Sequence, residues 1–179
     1  MGSKNRKHLL CKIARNEGAL RLRESSQKAG PQIEKYLAVF RQHIYQISQQ
    51  VCFLDVKYGY EWCCAFVYWC CLEAGYNIPI QASENSQITL AVVGQWVEYA
   101  QDKKIWRDCK EGDYLPHPGD LVIFDKLLSE NFLDHIGIVL NCDIKDNFIN
   151  TSEGNIDEAT GLFKRPIDKT IRGYICLPI

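Results

Sequence analysis

The 179-residue sequence predicts an α+β fold, with N-terminal helices packed on a C-terminal antiparallel β-sheet. Three observations carry that expectation. Apolar residues recur at helical spacing through the first half of the chain. After Pro118 the apolar runs become short and strand-like. The links between those runs are short, which favours antiparallel neighbours.

The elements follow in order. Residues 4 to 23 read as a helix through Leu9, Leu10, Ile13 and Ala14, with Leu20 extending the face. Glu24 to Pro31 is a polar break, and Pro31 suits the first turn of a second helix, Gln32 to Arg41, carrying Ile33, Leu37 and Phe40. Residues 42 to 61 are ambiguous; Cys52-Phe53-Leu54 is expected as a short buried segment and Lys57 to Tyr60 as a loop. Trp62 to Ala74 has almost no polar face, the mark of a buried helix, and Gly75 is its expected cap. A further helix is expected from Gln87 to Ala100. Pro118-Gly119-Asp120 is a turn. Strands are expected at Leu121–Phe124, His135–Leu140, Asn147–Ser152 and Ile171–Leu177. With no repeat, low-complexity tract or linker, residues 1–179 read as a single domain, with 1–8 as a disordered or vector-derived lead-in.

Composition narrows the function classes. Hydrophobic residues make up 46% and charged residues 24%, as in ordinary globular proteins, which excludes disordered, collagen-like and coiled-coil chains. The formal charge of −1 removes the electrostatic footprint of a nucleic-acid or membrane-surface binder. No run approaches the ~18 apolar residues that span a bilayer. Met1 to Arg15 is basic and broken by charge, so no secretory signal peptide is expected and the chain is placed in the cytoplasm as synthesised. The nine cysteines are odd in number, contain no Cys-x-x-Cys pair, and read mostly as small core hydrophobes in a reducing compartment.

One cysteine has a special address. Cys63 falls in the first turn of the buried helix, where unpaired N–H groups and the helix dipole favour an anion. A thiolate is such an anion, and the same N–H groups can stabilise an oxyanion. Cys64 is its chain neighbour but lies roughly 100° further round a helix. Of the four histidines, His8 and His43 sit in polar stretches and His117 in a turn. His135 begins an apolar strand, and alternation places it with Gly137 and Val139, where the missing side chain of Gly137 would let a helix approach. Glu153 or Asn155, just after the next strand, could orient the His135 ring; Glu153-Gly154-Asn155 also reads as a hairpin turn. Tyr58, Tyr60 and Trp96 are open to either a groove-lining or a core role.

Taken together, these segments resemble the CHAP domains, the cysteine- and histidine-dependent amidohydrolases/peptidases. Trp62-Cys63-Cys64-Ala65-Phe66-Val67 resembles that family's Trp-Cys-Ala-Ala-Phe-Val nucleophile segment. Pro118-Gly119-Asp120-Leu121 is similar to its Pro-Gly-Asp-Leu strand entry, and His135-Ile136-Gly137-Ile138-Val139 to its His-Val-Gly-Ile-Val strand. Thr151-Ser152-Glu153-Gly154-Asn155 resembles its Thr-x-Glu-Gly-Asn segment, and Ile171-Arg172-Gly173-Tyr174 its closing strand. The sequence departs from the pattern at Cys64, which replaces an alanine, and in a long link over residues 42 to 60. Asp134 is read as a solvated charge.

The resemblance implies a papain-like fold and a catalytic set of Cys63, His135, Glu153 and Asn155. Cys63 would attack an amide of bacterial peptidoglycan, either between muramic acid and L-alanine or within the wall peptide. His135 would move the proton, and Glu153 or Asn155 would orient its ring. Some relatives bind calcium, but without a dense Asp-x-Asp run no metal and no cofactor are expected here. The expected protein is a monomer that reaches the wall after phage lysis or through a specialised secretion machine, with an immunity or inhibitor protein as a further partner. The competing readings are a papain-like protease, deamidase or acyltransferase acting on protein, and a non-enzymatic scaffold.

Overall fold

The computed structural model describes residues 4–111 and 114–178. Helix α1 (Lys4–Leu20) is followed by α2 (Glu34–Ser48), a short 3-10 helix (Val51–Leu54), α3 (Cys63–Glu73) and α4 (Val93–Asp102). The strands are β1 (Trp106–Asp108), β2 (Leu121–Phe124), β3 (His135–Asp143), β4 (Phe148–Ile156), β5 (Ala159–Pro166) and β6 (Ile171–Ile175). They form one antiparallel sheet in the order β1-β6-β2-β3-β4-β5. The α+β architecture is therefore the one the sequence predicts.

Helix α1 starts within the stretch expected as a lead-in. Residues 4–8 are helical, and Lys7 reaches the fully buried Asp120 at 2.6 Å. Residues 1–3 of that lead-in lie outside the described residues. Gly119, at φ +89°, lets α1 come close, since a Cβ there would sit 2.9 Å from the Lys7 Cβ.

Helix α2 begins later and runs further than its apolar pattern suggests. Its buried Arg41 explains the extension of order beyond the helix. The guanidinium holds both Glu34 oxygens at 2.7 Å and donates to the carbonyls of Phe53, Val56 and Tyr58. The link after α2 is thus fastened through its backbone. The expectation of a buried Cys52-Phe53-Leu54 fails for that reason: none of the 3-10 residues is buried.

Helix α3 is interior, with Cys63 to Tyr68, Cys70 and Cys71 all buried. It ends as a glycine-capped helix should. Gly75 takes φ +81°, its N–H donates to Leu72 and the next N–H, of Tyr76, donates to Cys71, satisfying two terminal carbonyls. Helix α4 starts six positions after the expected Gln87 because the preceding residues are held in bends and a turn, with Leu90 N–H bonding Ile80 and Thr89 bridging Gln81.

Alternation along the strands separates two apolar layers. Leu121, Ile123, Ile136, Ile138 and Leu140 face the helices, whereas Val122, Phe124, Val139, Ile149 and Tyr174 pack in a smaller cluster. The helices approach the sheet at Gly154, not at Gly137. A Cβ on Gly154 would lie 2.6 Å from the Phe66 Cβ and 2.8 Å from Trp62, whereas one on Gly137 would meet the Glu153 Cγ at 2.8 Å. Gly154→Ala is expected to lower stability by about 1–3 kcal/mol, the cost of overpacking a filled interior, and a thermal melt measures it.

A candidate thiolate–imidazole site

Cys63 is the first residue of α3 and is 7% exposed. Its position is set by Trp62, whose ring stacks on Tyr36 with centroids 5.9 Å apart and whose Nε1–H donates to Glu24 at 2.7 Å. The helix start supplies an N–H, from Cys64, to the Cys63 sulfur.

The two adjacent thiols behave oppositely. The Cys63 pKa is lowered from 9.0 to about 5. A hydrogen bond from the Cys64 thiol is the largest cause; burial opposes it, and the His135 ring adds to the lowering. Cys64 is pushed well above the usual thiol range, first by burial and then by the neighbouring negative sulfur. The pair therefore keeps its proton on Cys64 and its charge on Cys63.

His135 is the first residue of β3 and is fully buried. Its Nε2 lies 3.0 Å from Glu153 Oε2, which leaves Nδ1 as the ring nitrogen not engaged by the carboxylate. Nδ1 has no partner at full hydrogen-bond geometry, yet the ring and the Cys63 sulfur shift each other's proton affinity. Catalytic hydrogen bonds are often long or poorly aligned at rest and tighten when substrate binds. Burial alone would lower the imidazole pKa, but Cys63 and Glu153 outweigh it and hold it at about 9. Near neutral pH the pair is a thiolate and an imidazolium.

Glu153 lies inside β4, in a stretch that also reads as a hairpin turn from its glycine and asparagine. The actual turn is two residues later, at Asp157 and Glu158, both left-handed at φ 49° and 63°. The Glu153 carboxylate is fully buried and saturated: Thr151 Oγ1 donates to Oε1, Arg165 Nε to Oε1 at 2.9 Å, and Arg165 Nη2 to Oε2 at 2.7 Å. Burial works against its charge, but the bonds from His135 and Arg165 prevail and hold its pKa at about 2.

Asn155 is not part of this cluster. Its Nδ2–H donates to Glu61 at 2.6 Å, and Glu61 also takes Lys28. Asn155 thus ties the end of β4 to the residue two positions before Cys63. Of the two groups considered for orienting the His135 ring, Glu153 is the one hydrogen-bonded to it.

Asp134 differs from its sequence reading, and the structure decides between the two roles left open for Trp96 and Tyr60. Asp134 is no free surface charge: it accepts the N–H groups of Leu127, Leu128 and Ser129 and so shapes the loop entering His135. Trp96 is fully buried, with its Nε1–H on the Leu90 carbonyl, and lines no groove. Tyr60 does line one, an apolar cavity of ≈ 290 Å³ with Ile44, Phe53, Ile88 and Val92, which reaches Glu61 just upstream of α3. Arg165 is missed altogether, and Thr151 is named only within a family segment, without a role. A charge-balance argument could have found Arg165, because a carboxylate placed in an interior strand demands a cation.

The cluster combines a polarised thiol with an imidazole that a buried carboxylate holds from behind, an arrangement suited to acyl transfer through a cysteine. The CHAP domain family model matches residues 55–155, more than half of the chain and the whole span from the nucleophile segment to Asn155. No curated protein and no solved structure matches the chain. The chain belongs to the CHAP domain family and is a cysteine- and histidine-dependent hydrolase of the amidohydrolase/peptidase kind.

Proposed function

We propose that this protein cleaves an amide of bacterial peptidoglycan, with Cys63 as nucleophile, His135 as proton carrier and Glu153 as the group that orients His135. The observation carrying the proposal is the Cys63–His135–Glu153 array, with Cys63 slightly exposed at the start of α3 and the other two fully buried on β3 and β4, in a member of a family whose usual substrate is the wall. Cys63 attacks the carbonyl carbon, and the new oxyanion is met by N–H groups at the helix start. His135 then gives its proton to the leaving amine as the C–N bond breaks, leaving a thioester. Water, deprotonated by His135, hydrolyses the thioester and restores the thiolate–imidazolium pair. The whole chain acts as one catalytic domain, reaching the wall after lysis or specialised secretion.

The test is mass spectrometry of purified peptidoglycan digested by wild type and by Cys63→Ala. New N-terminal alanine on the released peptides identifies an amidase, and other new amino termini identify an endopeptidase. An unchanged wall with folded wild-type enzyme contradicts the proposal.

The roles of the two β4 residues separate by kinetics. Glu153→Gln keeps a hydrogen-bonding group but can present the wrong partner to Nε2, and is expected to lower kcat roughly 10²–10⁴-fold. Asn155→Ala touches the site only through Glu61. Its expected loss in kcat is at least tenfold smaller, on the scale of remote positioning effects.

A further inference from the structure

A buried carboxylate beside an imidazolium can end in two ways. It can stay ionised and hold the ring, or it can take the ring's proton and release it. What decides is the rest of its environment. The charged and titratable groups facing this cluster are Cys63 and Cys64 from α3, His135 from β3, Glu153 from β4 and Arg165 from β5. Phe124, contributed by β2, is uncharged; its ring centroid lies 6.0 Å from that of His135. With thiolate, imidazolium, carboxylate and guanidinium the set is neutral. Without Arg165 it carries one unbalanced buried negative charge.

Arg165 is built into its place. Its guanidinium meets Glu153 as a fork, with Nε on Oε1 at 2.9 Å and Nη2 on Oε2 at 2.7 Å. The guanidinium carbon stands 4.6 Å from the Phe163 ring centroid and 5.9 Å from that of Phe124. The strand geometry makes room for this. Gly161 pairs with Glu153 and has no side chain, so the Phe163 ring can fold over it; a Cβ there would lie 2.5 Å from that ring. On the other side, Gly137 leaves the space the Glu153 side chain occupies.

We propose that Arg165 is a positioning residue for catalysis: by holding both oxygens of Glu153 it keeps the carboxylate ionised and aimed at His135 Nε2, and so sustains the thiolate–imidazolium pair at Cys63. The proposal rests on the reading of Cys63 as nucleophile and deepens it. Losing the guanidinium disfavours the thiolate by either route open to the cluster. The site becomes more negative, or Glu153 takes up a proton and the imidazolium loses its partner. Both raise the pH at which Cys63 ionises.

The probe is iodoacetamide, which needs no knowledge of the substrate. The rate of Cys63 carbamidomethylation is followed against pH by peptide mass spectrometry in wild type, Arg165→Gln and Arg165→Lys, with folding checked by near-UV circular dichroism. In Arg165→Gln the midpoint of the acid limb is expected to rise by about one pH unit, the effect of removing one nearby charge. In Arg165→Lys it should rise about half as far, because a lysine keeps the charge but cannot form the fork. A folded Arg165→Gln with the wild-type midpoint overturns the proposal. So does slower labelling at every pH with no movement of the midpoint, the mark of a purely structural role. If Arg165→Gln does not fold, Arg165→Lys decides: a raised midpoint supports the proposal and a wild-type midpoint overturns it. A wild-type Cys63 that ionises in the ordinary thiol range overturns the nucleophile reading together with this inference, a pattern distinct from the others.

Discussion

Cys63→Ala is expected to abolish amide hydrolysis, and Cys64 is expected not to take over. Two sulfurs sit side by side at the start of α3, but only one carries charge. Cys64 is fully buried, holds its proton strongly and donates toward Cys63. The helix turns it away from the site that its neighbour faces. Cys63→Ser should be nearly as damaging, since a hydroxyl has no comparable anion near neutral pH; a loss of at least about 10⁴-fold in kcat is the expected scale for removing a covalent nucleophile. Cys64→Ala should behave differently. It removes one hydrogen bond to the thiolate, so turnover persists while its acid limb moves upward. Steady-state hydrolysis of isolated wall by the three variants, across pH, separates these outcomes.

His135→Ala is the second large effect. It deletes the proton carrier for both half-reactions and the cation facing the thiolate. A loss of about 10⁶-fold in kcat is the scale of comparable removals, which leave only the catalysis due to the oxyanion site and binding. The fold should survive, because Glu153 keeps Arg165 and Thr151 and is not left unpaired. Two readings belong together here. Turnover falls, and Cys63 alkylation at pH 6 slows because the thiol returns toward its ordinary range. Lost turnover with unchanged alkylation would mean that His135 moves protons without stabilising the thiolate.

The strongest local patterns in the sequence correspond to the parts of the fold that bury most. Helix α3 is legible because it is apolar on every side, and β2 and β3 because their residues alternate or run apolar between turn signals. The chemistry of a thiol at a helix start singles out Cys63, and its pairing with His135 is legible through the resemblance of both segments to the CHAP family. Other parts depend on partners distant in sequence. Strand β5 is half exposed, with Lys164 and Arg165 near its end, so its composition resembles a loop; its order comes from pairing with β4. Strand β1 has three residues and no period to detect. Glu153-Gly154-Asn155 carries turn-forming residue types, but Gly154 is small because Phe66 and Trp62 press on it. The turn beyond it places Asp157 and Glu158 in left-handed conformations with no glycine at either position, and Glu158 gives little warning. The roles of Arg165 and Thr151 became visible only once β4 and β5 were paired.

The pH dependence of Cys63 alkylation in the wild-type protein bears most directly on the thiolate at the start of α3. Resolved against the other eight cysteines by peptide mass spectrometry, Cys63 should label fastest, with its rate already rising through about pH 5. A midpoint near the ordinary thiol value of 9.0, or labelling of Cys64 ahead of Cys63, would contradict it.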